Sequence, residues 1–252
     1  MKAENSVAIV TGANRGIGEA LVRELIARGA AKVYAGCRNA KDAEHLVKEG
    51  AGKVVALSLD VTKDAQVAAA AEQGKDTTLV INNAGLSEYG RRLIGAKSIA
   101  AAQAEMDVNY FGVLRMCRAF APVLRANGGG AIFNILSAGA LCNLPVLGTY
   151  CPTKAAAYSL TQGVRAELAG QGTFVSAIFV GSVDTRMAGN VKGVEKVTPQ
   201  FTARATLDSL ARREEEVDAD LMTVDLRARL ARDPKKTERF LARSLTLVPN
   251  VD

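Results

Sequence analysis

The sequence predicts one α/β domain, a parallel, doubly wound sheet with helices on both faces. Short runs of Val, Ile, Leu and Ala are apolar throughout, helical stretches separate them, and a glycine-rich turn joins the first run to the first helix. Strands apolar on both sides belong to a sheet covered on both faces, and repeated strand–helix alternation makes neighbouring strands parallel. With 252 residues, 48% hydrophobic and 23% charged, the chain can bury one such core.

The first run, SVAIVTG, enters TGANRGIG at residues 11 to 18, and GIGEALVRELIARGA continues as a helix. Gly12, Gly16 and Gly18 allow a tight turn and close backbone approach, with Asn14, Arg15 and Ile17 between them. A helix N-terminus at that point offers N–H groups and a positive dipole end to a pyrophosphate. The second run, AKVYAGCR, ends in Cys37, Arg38 and Asn39, where an NAD-binding fold usually places an acidic residue for the ribose 2'-hydroxyl. Arg38 with Arg15 argues instead for the 2'-phosphate of NADP. The third, KVVALSLDV, ends in Asp60 and Val61, and Asp60 is positioned for an adenine amino group. The fourth, TTLVINNAG, ends in Asn83, Ala84 and Gly85, small residues suited to a cofactor passing overhead. GAIFNILS ends on Ser137, and TFVSAIFVG on Val180 and Gly181, followed by Val183 and Thr185.

Between these runs lie a polar stretch at 39 to 50, an alanine-rich one at 62 to 73, a long helical one from about 98 to 126, and a helix headed by Tyr150. Residues 186 to about 213 read as a mobile lid, 214 to 219 as a short last strand, and about 222 to 247 as a helical tail. In TYCPTK, Tyr150 and Lys154 are four apart, so they share one helix face, and Pro152 is tolerable because it falls in the first turn. Alone, that pattern more often means a packed ring beside a solvated charge.

The single histidine, His45, lies in a polar stretch, so neither a multi-histidine metal site nor a well-supported Ser-His-Asp triad is available, and no metal is expected. Four scattered cysteines without a C-x-x-C pair read as reduced thiols. The net charge of +6 is not gathered into a basic run, which argues against nucleic acid. The opening MKAENSVAIVTGA lacks an export-signal core and no run is long enough to span a membrane, so the expectation is a cytoplasmic protein.

TGANRGIG, NNAG, Asn109 in MDVNYFG, Ser137, and Tyr150 with Lys154 occur in the order and spacing of the single-domain short-chain dehydrogenase/reductase family. The chain resembles that family over about residues 5 to 186. The resemblance implies a Rossmann-type fold of about seven strands, usually in a tetramer, that moves a hydride between a nicotinamide cofactor and a carbonyl or alcohol. It also implies that Lys154 grips the nicotinamide ribose, that Thr185 meets the carboxamide, and that Asn109 positions a water linking Lys154 to solvent. Two departures stand out: Val180-Gly181 replaces the usual Pro-Gly, and the Val-Asp-Gly-Gly often found near the C-terminus is absent.

A carbonyl accepting a hydride needs a proton or positive charge at its oxygen, and without histidine or zinc a phenol is the remaining donor. Lys154 is expected to lower the pKa of Tyr150, and Ser137 to hold the substrate oxygen. Leu141, Cys142, Leu144, Leu147 and Val180 flank the expected pocket and suggest a mostly hydrophobic ketone or aldehyde. Apolar Val113, Met116, Phe120, Ala157 and Leu160 suggest helix packing between subunits of a homotetramer or dimer. The alternatives are a non-catalytic NADP-sensing module, a dehydrogenase working mainly in the oxidative direction, and a sugar-nucleotide epimerase or dehydratase, which usually has a larger C-terminal domain.

Overall fold

The computed structural model describes residues 2–89, 92–189, 191 and 193–246. In chain order it contains β1 (Val7–Thr11), α1 (Gly16–Ala27), β2 (Lys32–Cys37), α2 (Glu44–Glu49), β3 (Val54–Ser58), α3 (Asp64–Gln73), β4 (Leu79–Asn82), α4 (Ala100–Met106), α5 (Gly112–Ala126), β5 (Ala131–Ile135), α6 (Tyr150–Leu168), β6 (Phe174–Phe179), α7 (Pro199–Arg212), β7 (Glu216–Asp218), α8 (Leu221–Arg232) and α9 (Pro234–Ala242). The strands form one parallel sheet in the order β3-β2-β1-β4-β5-β6-β7. Strand order reverses between β1 and β4, where the crossovers before and after take opposite faces and the strand ends open a crevice.

The two sheet faces carry separate cores. Ala8 and Val10 of β1 point into the layer covered by α1 and α7, whereas Ile9 between them joins the layer of α3 and α5. This alternation explains why the central strands are apolar at every position. β3 differs because it is an edge strand, and its Val55 is exposed.

The expected helix over 98 to 126 is present from residue 100, with one π-turn inside it. A π-turn at Asp107–Phe111 separates α4 from α5, and the next residue, Gly112, packs against Val61, where a Cβ would come within 2.7 Å of a Val61 methyl carbon.

Of the stretch expected as a lid, residues 199–212 are the well-anchored helix α7. Thr198 caps it by accepting from the Phe201 amide at 3.1 Å, Pro199 starts it, and Ala203, Leu207 and Leu210 are fully or nearly fully buried in the α1 layer. The rest of the stretch up to residue 198 holds, among its described residues, only a 3-10 turn at Arg186–Ala188 and a bridge from Val197 to Val183, and residues 190 and 192 lie outside the described residues. The short last strand is β7, at 216–218. The expected tail resolves into α8, capped by Asp220 with Thr223, and α9, started by Asp233-Pro234; its last position, 247, lies outside the described residues.

Val113, Met116, Phe120 and Ala157, expected at a subunit interface, are buried within the chain itself, and Leu160 packs beside them. The apolar residues on several faces of α5 and α6 serve this sheet layer. Among the described residues no helix is long and apolar enough to cross a membrane.

Candidate active site

A cleft of about 1530 Å³ opens at the carboxyl ends of the strands, bordered by the turns after β1 through β6. The turn after β1 is shaped by Gly12 and Gly16, whose φ angles are +65° and +57°. Gly18 lies beneath it rather than in the cleft: a Cβ there would run into the Gly12 carbonyl and lie 2.6 Å from the Asn83 amide nitrogen. Arg15 precedes α1 in extended backbone and gives it no side-chain cap, so the helix presents its first amides to the cleft. The Thr11 hydroxyl oxygen accepts from the amides of Asn83 and Ala84, both at 3.0 Å, and Asn83 Nδ2 donates to the Thr11 carbonyl at 2.9 Å. The turns after β1 and β4 are therefore locked together.

At the end of β2, Cys37 is buried and its thiol donates to the Asn39 carbonyl at 3.0 Å, while burial pushes its pKa up. Arg15 and Arg38 are exposed at the cleft, and among the described residues neither has an ion-pair partner, in contrast to Arg23 on α1, held by Glu19 and Glu49. Asn39 does not border the cleft; its side chain accepts from the Lys41 amide. Burial opposes the charge on Asp60, but hydrogen bonds from the Thr62 amide and hydroxyl, with Lys63 and Arg38 nearby, hold its carboxyl below the ordinary value.

Three groups meet where β5 and α6 face the cleft. Ser137 ends the β5 turn, and its hydroxyl oxygen accepts from the Gly139 amide at 3.1 Å. Tyr150 is the first residue of α6 and Lys154 lies one turn on; both are buried yet border the cleft. Lys154 Nζ donates to the Ile135 carbonyl at 3.0 Å and lies 5.7 Å from the centre of the Tyr150 ring. The expected lowering of the Tyr150 pKa by Lys154 is not found. Burial pushes the phenol well up, against a hydrogen bond with Ser137, and burial lowers Lys154 to about 8, which weakens its hold on a proton.

The family model for short chain dehydrogenases matches residues 6–196, a span that holds the glycine turn, Ser137, Tyr150 and Lys154. This chain belongs to the short-chain dehydrogenase family. It is similar to a short chain dehydrogenase from Burkholderia cenocepacia J2315, solved in complex with NADP, at 41% identity and a TM-score of 0.90 over 96% of this chain and 99% of that one. A 3-ketoacyl-(acyl-carrier-protein) reductase from Brucella melitensis, complexed with NADH, shares 26% identity with a TM-score of 0.77 over 82% of this chain and 91% of that one. An uncharacterized oxidoreductase of Staphylococcus aureus (strain MRSA252) is 32% identical over 213 residues, 82% of this chain and 91% of the relative. The protein is thus an oxidoreductase of this family, with solved neighbours that carry nicotinamide cofactors.

As in the sequence reading, Asn14, Ile17, Val61, Ala84, Gly85, Gly181, Val183 and Thr185 border the short-chain dehydrogenase cleft. Asn109 does not; it is fully buried in the π-turn. Its Oδ1 accepts from the Leu86 amide at 2.9 Å, and its Nδ2 donates to the Leu86 carbonyl at 2.8 Å and to the Thr153 hydroxyl at 2.9 Å. A Cβ on Gly85 would sit 3.5 Å from Asn109 Oδ1 and 3.8 Å from Lys154 Nζ, so this glycine keeps space open between the two groups.

On the substrate side, Leu144, Leu147 and Val180 border the cleft, while Leu141 packs into the layer under α6 and Cys142 lies outside the lining. Residues the sequence did not single out complete the wall: Glu88 and Tyr89 after β4, Met187 and Val194 from the irregular stretch, and Met222 and Ser244 from the C-terminal region. Met222 and Asp220 close on the glycine that this chain keeps at Val180-Gly181, and nothing in the structure explains valine in place of proline. A Cβ on Gly181 would lie 2.8 Å from the Met222 sulfur, and the Gly181 amide donates to buried Asp220 at 2.6 Å. Strand spacing carries no trace of that contact, because α8 returns to the cleft only through the tertiary fold.

Proposed function

We propose that the protein is an NADPH-dependent carbonyl reductase acting on a mostly hydrophobic ketone or aldehyde. The observation that carries this reading is that Tyr150, Ser137 and Lys154 border one cleft together with the glycine turn and with Leu144, Leu147 and Val180. The site fits a dinucleotide: the uncapped start of α1 can receive the pyrophosphate, and the unpaired Arg15 and Arg38 suit a 2'-phosphate. When bound, the nicotinamide supplies the hydride.

Ser137 holds the carbonyl oxygen, and Tyr150 donates a proton to it as negative charge develops. A phenol whose pKa burial raises stays protonated near neutral pH, as a donor in the reductive direction must. Lys154 faces the tyrosine ring and, when charged, stabilises the phenolate left behind. Asn109 keeps Leu86 and Thr153 in place behind Lys154. Leu144, Leu147 and Met187 favour an apolar substrate body.

The protein is proposed to work in the cytoplasm as a homotetramer or dimer, which light scattering at micromolar concentration tests. The deciding experiment for function is a panel of ketones and aldehydes with NADPH consumption followed by absorbance. Turnover of apolar carbonyls supports the reading, and NADPH binding without turnover of any of them would favour a sensing module.

A further inference from the structure

Glu105 on α4 is fully buried. Burying a carboxylate is costly unless hydrogen bonds satisfy it, and its two oxygens reach different elements. Oε1 accepts from the Glu88 amide at 2.6 Å, in the loop after β4 that walls the cleft, and Oε2 accepts from the Thr149 hydroxyl at 2.6 Å. Thr149 immediately precedes Tyr150.

Thr149 occupies the N-cap position of α6 but does not cap it, and its backbone is already helical. Pro152 in the first turn has no N–H to offer, which reduces the demand for a cap. The hydroxyl is spent on Glu105 instead. Gly148, with φ +50°, turns the chain into this arrangement. The Glu105 carboxylate thus ties the loop after β4 to the residue from which Tyr150 projects.

We propose that Glu105 is a positioning residue for the reaction, its carboxylate fixing, through Thr149 and the Glu88 amide, where the first turn of α6 presents the Tyr150 hydroxyl. The proposal rests on the reading of Tyr150 as proton donor. Its negative charge also opposes ionisation of Tyr150 and Cys151, which keeps the proton on the phenol. The titratable and charged groups that face this pair, among the described residues, are Cys151 and Lys154 on α6, Cys142 beside Cys151, and Glu88 in the loop after β4.

Three variants test it: Glu105→Ala, Glu105→Gln and Thr149→Val. The measurements are NADPH affinity by fluorescence, kcat and KM for the best carbonyl, and the ionisation of Tyr150 by phenolate absorbance, each variant referenced to the same protein carrying Tyr150→Phe. Glu105→Ala and Thr149→Val are expected to lower kcat on the order of tenfold to a hundredfold, with NADPH affinity within about a factor of two. Glu105→Gln, whose remaining oxygen can still accept from the Glu88 amide while its Nε2 donates to the Thr149 hydroxyl oxygen, recovers most of that rate, and by removing a negative charge moves the ionisation of Tyr150 and the alkaline limb of the pH–rate profile to lower pH. If Glu105→Ala does not fold, the other two variants decide. An unmoved Tyr150 ionisation in Glu105→Gln together with unchanged kcat in Thr149→Val overturns the proposal, as does a rate loss matched by equal loss of NADPH affinity. If the wild type reduces no carbonyl, the functional reading fails separately, and the Tyr150 titration still reports whether Glu105 acts on it.

Discussion

Lys154 Nζ lies 5.7 Å from the centre of the Tyr150 ring and is held there by the Ile135 carbonyl at 3.0 Å. The ammonium is thus fixed to the end of β5 and the phenol to the start of α6. Their relation is set by the packing of α6 on the sheet rather than by side-chain rotamers alone.

Tyr150→Phe should abolish turnover while NADPH still binds. The ring that fills the site remains and only the proton donor is lost, a change worth on the order of a hundredfold to ten-thousandfold in rate. Steady-state kinetics with a cofactor-binding titration checks this, and retention of more than about a few per cent of kcat would remove Tyr150 from the mechanism.

Lys154 gives the cofactor-free protein a pH signature. Its folded-state value of about 8 lies below its ordinary 10.5, a difference of roughly 3 kcal/mol. Below about pH 8 both folded and unfolded chains hold the proton, and the burial penalty is fully present. Between about pH 8 and pH 10 the unfolded chain holds a proton on Lys154 that the folded one has released, so the contribution of this lysine to stability should rise with pH across that window, opposed above about pH 9 by Cys117 and Cys151, whose thiols burial pushes up. Tyr150, raised by burial, acts in the opposite direction once the pH passes its ordinary value of 10.0. Urea unfolding of wild type and Lys154→Met at several pH values tests this: the stability of the wild type relative to the variant should rise with pH across the window.

Arg38→Asp should raise KM for NADPH at least about tenfold and affect NADH far less, since each charge-assisted phosphate contact is worth roughly 1.5 to 3 kcal/mol before solvent screening. Buried Cys37 supplies no carboxylate to repel a 2'-phosphate. The wild-type preference should shrink at high salt. Equal kcat/KM for both cofactors at low salt would make Arg15 and Arg38 ordinary surface charges.

Gly18→Ala should cost more than about 2 kcal/mol of stability or loosen the cofactor turn, because the added Cβ would meet the Gly12 carbonyl and Asn83. Gly163→Ala, on α6 with nothing within 4 Å of its added Cβ, is the control and should be neutral or slightly stabilising. Thermal melts of the two variants compare them directly.

Residues 186–198 should gain amide protection when NADPH and a substrate are bound, and α7 should not. The irregular stretch borders the cleft through Met187 and Val194, whereas α7 is anchored by Ala203, Leu207 and Leu210. Hydrogen exchange with and without ligands distinguishes them, and equal protection throughout would show that no lid closes.

Much of this protein was determined by the sequence alone. Apolar strand runs in order, a glycine turn after the first, and Ser137, Tyr150 and Lys154 at fixed spacing are local or periodic features, and they specified the parallel sheet and the strand ends around which the site is built. Tertiary structure decided what depends on contacts distant in the chain. Residues 186 to about 213 read as a mobile lid because the polar surface of α7 masks the narrow apolar stripe that packs in the α1 layer. Val113, Met116 and Phe120 looked like interface because sequence cannot say which faces of α5 the chain itself will bury. Spacing brought Lys154 beside Tyr150, but burial, a property of the whole fold, reversed the expected direction of the tyrosine's pKa. Glu105 lies 44 residues from Thr149, and only the packing of α4 against α6 encloses it and brings the two together.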